Sequence, residues 1–101
     1  MAATVQSINL ITTNPKVRNG RPCIEGTTLE VSTIAIAKII HGQSPDEIAS
    51  DYRLTLAQVY AALAYYYDHK TEMDTSLRQR FNLAQELKEK RVGSRHPSLS
   101  G

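Results

Sequence analysis
The sequence predicts a mainly α fold: a helix-turn-helix core with a short N-terminal β element and an extra C-terminal helix. Two capping signatures stand eleven residues apart, Ser44-Pro45-Asp46-Glu47 and Thr55-Leu56-Ala57-Gln58. In each, a hydroxyl can accept a bond from a free backbone N–H, and a Glu or Gln three residues later can reach back to the cap. Between them, Arg53-Leu54 is too short for anything but a tight turn, and a short helix, a turn and a longer helix make the helix-turn-helix shape. Apolar residues then recur at helical spacing through the second half of the chain.

The elements follow in order. Ile8, Leu10 and Ile11 form a short apolar run ending at the turn-prone Thr12-Thr13-Asn14-Pro15, which predicts one short strand. Two β-prone pieces, Cys23-Ile24 and Thr28-Leu29-Glu30-Val31, flank Gly26 and suggest a small hairpin or tight extended turn. Pro22 lacks a donor, which predicts an edge position. A first helix runs from a cap at Ser32 through Ile34, Ala35, Ile36, Ile39 and Ile40 to a left-handed terminator at Gly42. The second, about Pro45 to Tyr52, turns Ile48, Ala49 and Tyr52 inward. The third, to about His69, lines one face with Leu56, Val59, Tyr60, Leu63 and Tyr67. The last, about Thr75 to Arg91, carries Leu77, Phe81 and Ala84 on one side and Leu83 and Leu87 further round. Residues 1–91 are read as one domain and 92–101 as a flexible tail.

Composition narrows the function classes. A chain of 101 residues supports one modest core, which a partner subunit would enlarge. No apolar run approaches the roughly 20 residues that span a bilayer, so no membrane role is expected, and Met1 to Asn9 lacks the features of a signal peptide. With Cys23 alone, no internal disulfide is expected and a cytoplasmic setting fits best.

Several groups invite functional readings. Tyr65-Tyr66-Tyr67 cannot form one stacking platform, because consecutive helical side chains point about 100° apart. Tyr66 and Tyr67 are expected to pack inward or against a partner while Tyr65 stays wet. His41, His69 and His96 share no metal-ligand spacing, and Asp46 and Glu47 suit the positive end of a helix dipole. Cys23 has no nearby His to serve as base and reads as a small buried hydrophobe. No metal, cofactor or enzymatic activity is expected.

Across Asn14-Pro15, Gly20-Arg21-Pro22-Cys23-Ile24, Glu25-Gly26-Thr27, Val31-Ser32, Gly42, Ser44-Pro45-Asp46-Glu47-Ile48, Asp51-Tyr52, Leu54-Thr55 and Ala61-Ala62-Leu63-Ala64-Tyr65, the chain resembles the bacterial family catalogued as domain of unknown function 433. The match runs from about Ile8 to Asp74. The resemblance implies a small homeodomain-like protein, antitoxin-like, whose partner is a PIN-domain ribonuclease toxin. The family usually has Gly-Thr-Arg where this chain reads Gly26-Thr27-Thr28, so no role of that arginine is carried over.

The charges weigh on DNA binding. From Val31 to Asp74, Lys38, Arg53 and Lys70 face Asp46, Glu47, Asp51, Asp68, Glu72 and Asp74, a net of −3. DNA-reading units are normally basic. If double-stranded DNA is bound, Arg18, Arg21 and Arg53 are the expected phosphate contacts, with Thr55 and Gln58 nearest the bases. Gln58 is also the capping residue of its own helix. Leu77, Phe81, Leu83 and Leu87 are the expected protein-partner contacts, with Arg91 and Arg95 suited to an acidic cleft. The expected function is a non-enzymatic antitoxin-like regulator, likened to a homodimer that binds its toxin and its own promoter DNA; the alternative is a small dimeric adaptor that binds no DNA.

Overall fold
The computed structural model describes residues 3, 4, 6 and 8–100, with side chains described through Lys88. It is mainly helical, with a two-stranded antiparallel element and four helices: β1 Ile11–Thr12, β2 Cys23–Ile24, α1 Val31–Ile39, α2 Pro45–Tyr52, α3 Leu56–Asp68 and α4 Lys70–Ser100. Two compact units divide at His69: residues 1–69, and the helix that follows.

In the first unit Ile11 pairs with Ile24 and Thr12 with Cys23. The chain between them makes a single 3-10 turn, Arg18–Gly20, in which all three residues lie at positive φ (49°, 56° and 80°). Only the glycine adopts that region without a Cβ penalty. β2 is not the edge that Pro22 suggested. It pairs with β1 on one side, and on the other the Ile24 N–H donates to the Leu29 carbonyl (2.9 Å) while Cys23 bridges Glu30. Pro22 is tolerated because it contributes a carbonyl, accepting from the Val31 N–H (2.9 Å), rather than a donor. The tight turn expected around Gly26 is present, closed by Thr27 N–H to the Ile24 carbonyl.

Helix α1 starts two residues earlier than expected. Its N-cap is Glu30, and Ser32, expected as the cap, is buried inside the first turn with its hydroxyl donating to Glu30 Oε1 (3.1 Å). The sequence offered no acceptor stronger than that carboxylate, so the hydroxyl turns to it. At the other end Gly42 takes φ +66° and lets the Gln43 N–H return to the Ala37 carbonyl.

Helices α2 and α3 open as the capping signatures predict. Ser44 Oγ accepts from the Glu47 N–H while Glu47 Oε1 accepts from the Ser44 N–H (2.9 Å). Thr55 and Gln58 repeat both bonds, at 3.1 and 2.8 Å. The turn between them is a Schellman closure: the Leu54 N–H donates to the Ala49 carbonyl and the Arg53 N–H to that of Ser50, with Arg53 left-handed (φ 56°, ψ 48°). A non-glycine residue there costs about 1–2 kcal/mol. Arg53→Gly is therefore expected to raise stability by about 0.5 kcal/mol once the freer unfolded chain is set against the relieved strain; urea unfolding measures it.

The core is Ile24, Val31, Ile34, Ile48 and Val59, all fully buried, joined by Cys23, Ala35, Ala37, Ala62, Leu63 and Tyr66. Helix α3 packs on α1, α2 and both strands. Its inner face is Val59, Ala62, Leu63 and Tyr66; Leu56, Tyr60 and Tyr67, expected inside, are exposed. The helix carries two apolar stripes roughly 100° apart. The one that packs includes the small Ala62, which permits close approach, while the stripe left outside holds two tyrosines whose hydroxyls tolerate water.

Helix α4 begins at Lys70, five residues before the expected start, where Lys70 Nζ pairs with Asp74 Oδ2 across one turn (2.6 Å). Its backbone passes Arg91, the expected end, and Gly93, and reaches Ser100 through the segment read as a tail. An interior glycine costs a helix only about 1 kcal/mol. The side chains of Arg91, Arg95 and His96 lie outside the described residues.

Candidate functional site
Of the five groups read as DNA contacts, four are engaged within the fold. Arg21 forms a two-pronged ion pair with Glu30, Nε to Oε1 at 2.9 Å and a second nitrogen to Oε2 at 3.3 Å. Arg18 Nε donates to the Thr28 carbonyl (3.0 Å). Thr55 and Gln58 hold each other in the α3 capping box. Bidentate reading of adenine needs both the oxygen and the nitrogen of a Gln amide, and Gln58 Oε1 is committed to the Thr55 N–H. Arg53 is exposed at the α2–α3 turn. The outward positions on α3 that follow Gln58 are alanines, tyrosines and Asp68, without a cation to neutralise phosphate.

The carboxylates around α2 have local explanations. Glu47 serves the capping box, and Asp51 accepts from Gln43 Nε2 (2.6 Å). Among the described residues no group of three His, Cys, Asp or Glu side chains comes together to hold a metal. The Glu47 carboxyl is held below its ordinary 4.5, first by the Ser44 N–H and then by the Ser44 hydroxyl. A depressed folded value means that the unfolded chain binds the proton more readily. The box therefore contributes fully above about pH 4.5 and is lost as pH falls through the lower folded value. The α3 box, built on the neutral Gln58, has no such dependence. Glu47→Gln is expected to flatten the acid side of the thermal-stability profile, measured from about pH 6 down to about pH 3.

Cys23 is buried, with its thiol donating to the Arg21 carbonyl (3.4 Å). Burial pushes the thiol above its ordinary value, and the Glu30 carboxylate adds to this against the opposing Arg18 and Arg21 cations. A protonated, buried thiol is a poor nucleophile, in keeping with the packing role read from the sequence. Beside it lies a half-open cavity of about 370 Å³ lined by Thr12, Asn14, Val17, Cys23, Gly26, Thr27 and Thr28, which the sequence reading did not anticipate. Its polar walls serve the turns around it: Asn14 Oδ1 accepts from the Lys16 N–H, and Thr27 Oγ1 bonds the Ile24 carbonyl and the Leu29 N–H.

The tyrosine run divides three ways. Tyr66 is buried and meets Tyr67 edge-on, while Tyr65 stacks on the His69 ring with centroids 4.0 Å apart. His69 Nδ1 also bonds the Tyr65 carbonyl (3.0 Å), closing the end of α3. Tyr67 is half exposed, as are Leu56 and Tyr60.

In the second unit, Phe81, Leu83 and Leu87 are 64%, 56% and 54% exposed, while Leu77 is half-buried and Met73 buried. Leu83 and Leu87, one turn apart, share a side of the helix, and Phe81 stands about 160° round from Leu83; large exposed hydrophobes of this kind mark interaction sites. No helix among the described residues is long and apolar enough to cross a membrane.

Comparison with curated proteins and with solved structures gave no match. The family model described as protein of unknown function (DUF433) matches residues 11–66, more than half of the chain and all of both capping boxes. The chain belongs to the DUF433 family.

Proposed function
We propose that this protein is a non-enzymatic regulator of the antitoxin type, a cytoplasmic homodimer that grips a protein partner with the apolar residues of α4. The observation that carries the reading is the exposure of Phe81, Leu83 and Leu87 on that helix. An amphipathic helix with anchors at helical spacing fills a groove on another protein. The family resemblance supplies the partner class, a PIN-type ribonuclease. The helix-turn-helix shape of α2 and α3 is read as scaffold rather than base reader, because Arg21, Thr55 and Gln58 are engaged inside the fold.

Co-expression with the product of the neighbouring reading frame tests this. The full chain is expected to co-purify with that product and suppress its nuclease activity, and Phe81→Asp with Leu83→Asp to abolish both while unit 1 stays folded. Retention of the complex by that variant refutes the α4 assignment. Retardation of promoter DNA at low salt that Gln58→Ala removes favours instead a helix-turn-helix DNA reader.

A further inference from the structure
We infer that the outward face of α3 is where a second copy of this chain docks, the two α3 helices packing antiparallel about a two-fold axis that passes between Tyr60 and Ala64 on the exposed side. This deepens the homodimer proposed above and rests on it. From Leu56 to Tyr67, twelve residues, the helix carries no charged side chain. A helix apolar all round is normally buried all round. Here the inner side is buried by Val59, Ala62, Leu63 and Tyr66, yet Leu56, Tyr60 and Tyr67 are 44%, 56% and 54% exposed. The exposed stripe also includes Ala57 and Ala64. At about 100° per residue, these five side chains fall within a 100° arc.

What covers this face is argued from its pattern. Nucleic acid is disfavoured, since the stripe offers no cation to a phosphate. The order of large and small residues is self-complementary. When the helix is laid against a reversed copy with position 62 opposite itself, Tyr60 meets the second copy's Ala64 and Tyr67 meets its Ala57. Each bulky ring thus faces a methyl, and the pattern recurs on both sides of the axis, as an isologous contact requires. Charge agrees with the register. Arg53, just before α3, and Asp68, its last residue, are both exposed. In the reversed pairing Asp68 stands opposite the mate's Leu56, about one turn from its Arg53, so the two opposite charges lie near each other at each end of the contact. Two half-exposed tyrosines and a leucine supply roughly 300 Å² of ring and aliphatic surface per copy, the apolar centre of an interface whose standard size is about 800 Å² per partner. An α3 so occupied cannot also enter a major groove.

Sedimentation velocity on the full chain over a range of concentrations tests the proposal. The unmodified chain is expected to dimerise. Tyr60→Glu and Ala64→Lys, both at exposed positions, are each expected to weaken the dimer by about tenfold or more while keeping their helical circular dichroism. An equimolar mixture of the two variants is expected to recover the dimer, because the heterodimer pairs the new carboxylate with the new ammonium across one contact and restores Tyr60 against Ala64 at the other. An unmodified chain that stays monomeric at every concentration removes the homodimer itself. A dimer indifferent to both substitutions leaves the homodimer standing and overturns the α3 surface, and a mixture that fails to recover overturns the antiparallel register.

Discussion

Replacing Ile48 with alanine is expected to cost about 3 kcal/mol of folding stability, the largest loss of any single substitution considered for this chain. Ile48 is fully buried and is the one buried residue of α2. The rest of that helix is held by local devices: the Ser44–Glu47 box at its start and the Schellman closure at its end. Such devices fix a helix's ends but contribute only about 1 kcal/mol each, and an eight-residue helix does not persist alone in water. The Ile48 side chain is therefore what ties α2 to α1 and α3. With total stability of order 5–15 kcal/mol for a chain of this kind, the loss corresponds to a fall of about 15 °C in melting temperature. Urea unfolding gives the free energy, and hydrogen exchange is expected to show the α2 amides opening before those of α1. A loss below about 1 kcal/mol, the range of an Ile→Val change, contradicts this anchoring role.

The same residue shows which parts of the fold were legible in the sequence. The local signals with complete chemistry of their own were read correctly. The capping boxes placed both ends of the α2–α3 turn because their chemistry is complete within four residues. Ile48 was assignable to the core because α2 has a single apolar stripe, although Tyr52 at the end of that stripe, expected inward, is exposed. Helix α3 has two, and periodicity reports the angle between stripes, not which one meets the rest of the protein. That choice depends on α1 and the strands, which are distant in sequence. The absence of charge over Leu56–Tyr67 is the signal that could have revealed a helix with both sides apolar. The Ser32 cap failed for a similar reason. A Ser beside a periodic run is a good local candidate, but Glu30 is held by Arg21 across the β element, and no local pattern records that pair. The engagement of Arg18 and Arg21 was equally hidden, since their partners Thr28 and Glu30 are ten and nine residues away.

Arg21→Ala is expected to destabilise the protein by about 2 kcal/mol, the scale of losing hydrogen bonds to a charged group. Arg21 is about one-third exposed, but the Glu30 side chain is only 12% exposed. Removing the guanidinium leaves that carboxylate largely out of water, with Ser32 Oγ still donating to it. The unpaired charge, more than the lost attraction, sets the cost. The pair also joins three pieces of structure, because Glu30 is at once the bridge partner of Cys23 and the N-cap of α1. Arg21→Lys is expected to recover only part of the loss, as an ammonium cannot match the two-pronged geometry. In a double-mutant cycle, Arg21→Ala with Glu30→Ala is expected to cost less than the two single changes added together, since neither charge is then stranded. An arginine whose task is to hold phosphate sits outside such a network, and its removal changes stability by no more than about 0.5 kcal/mol. Unfolding free energies of the four proteins in the cycle thus separate the two roles. Additive single costs, or a stability unchanged by Arg21→Ala, return this residue to the surface as a candidate nucleic-acid contact.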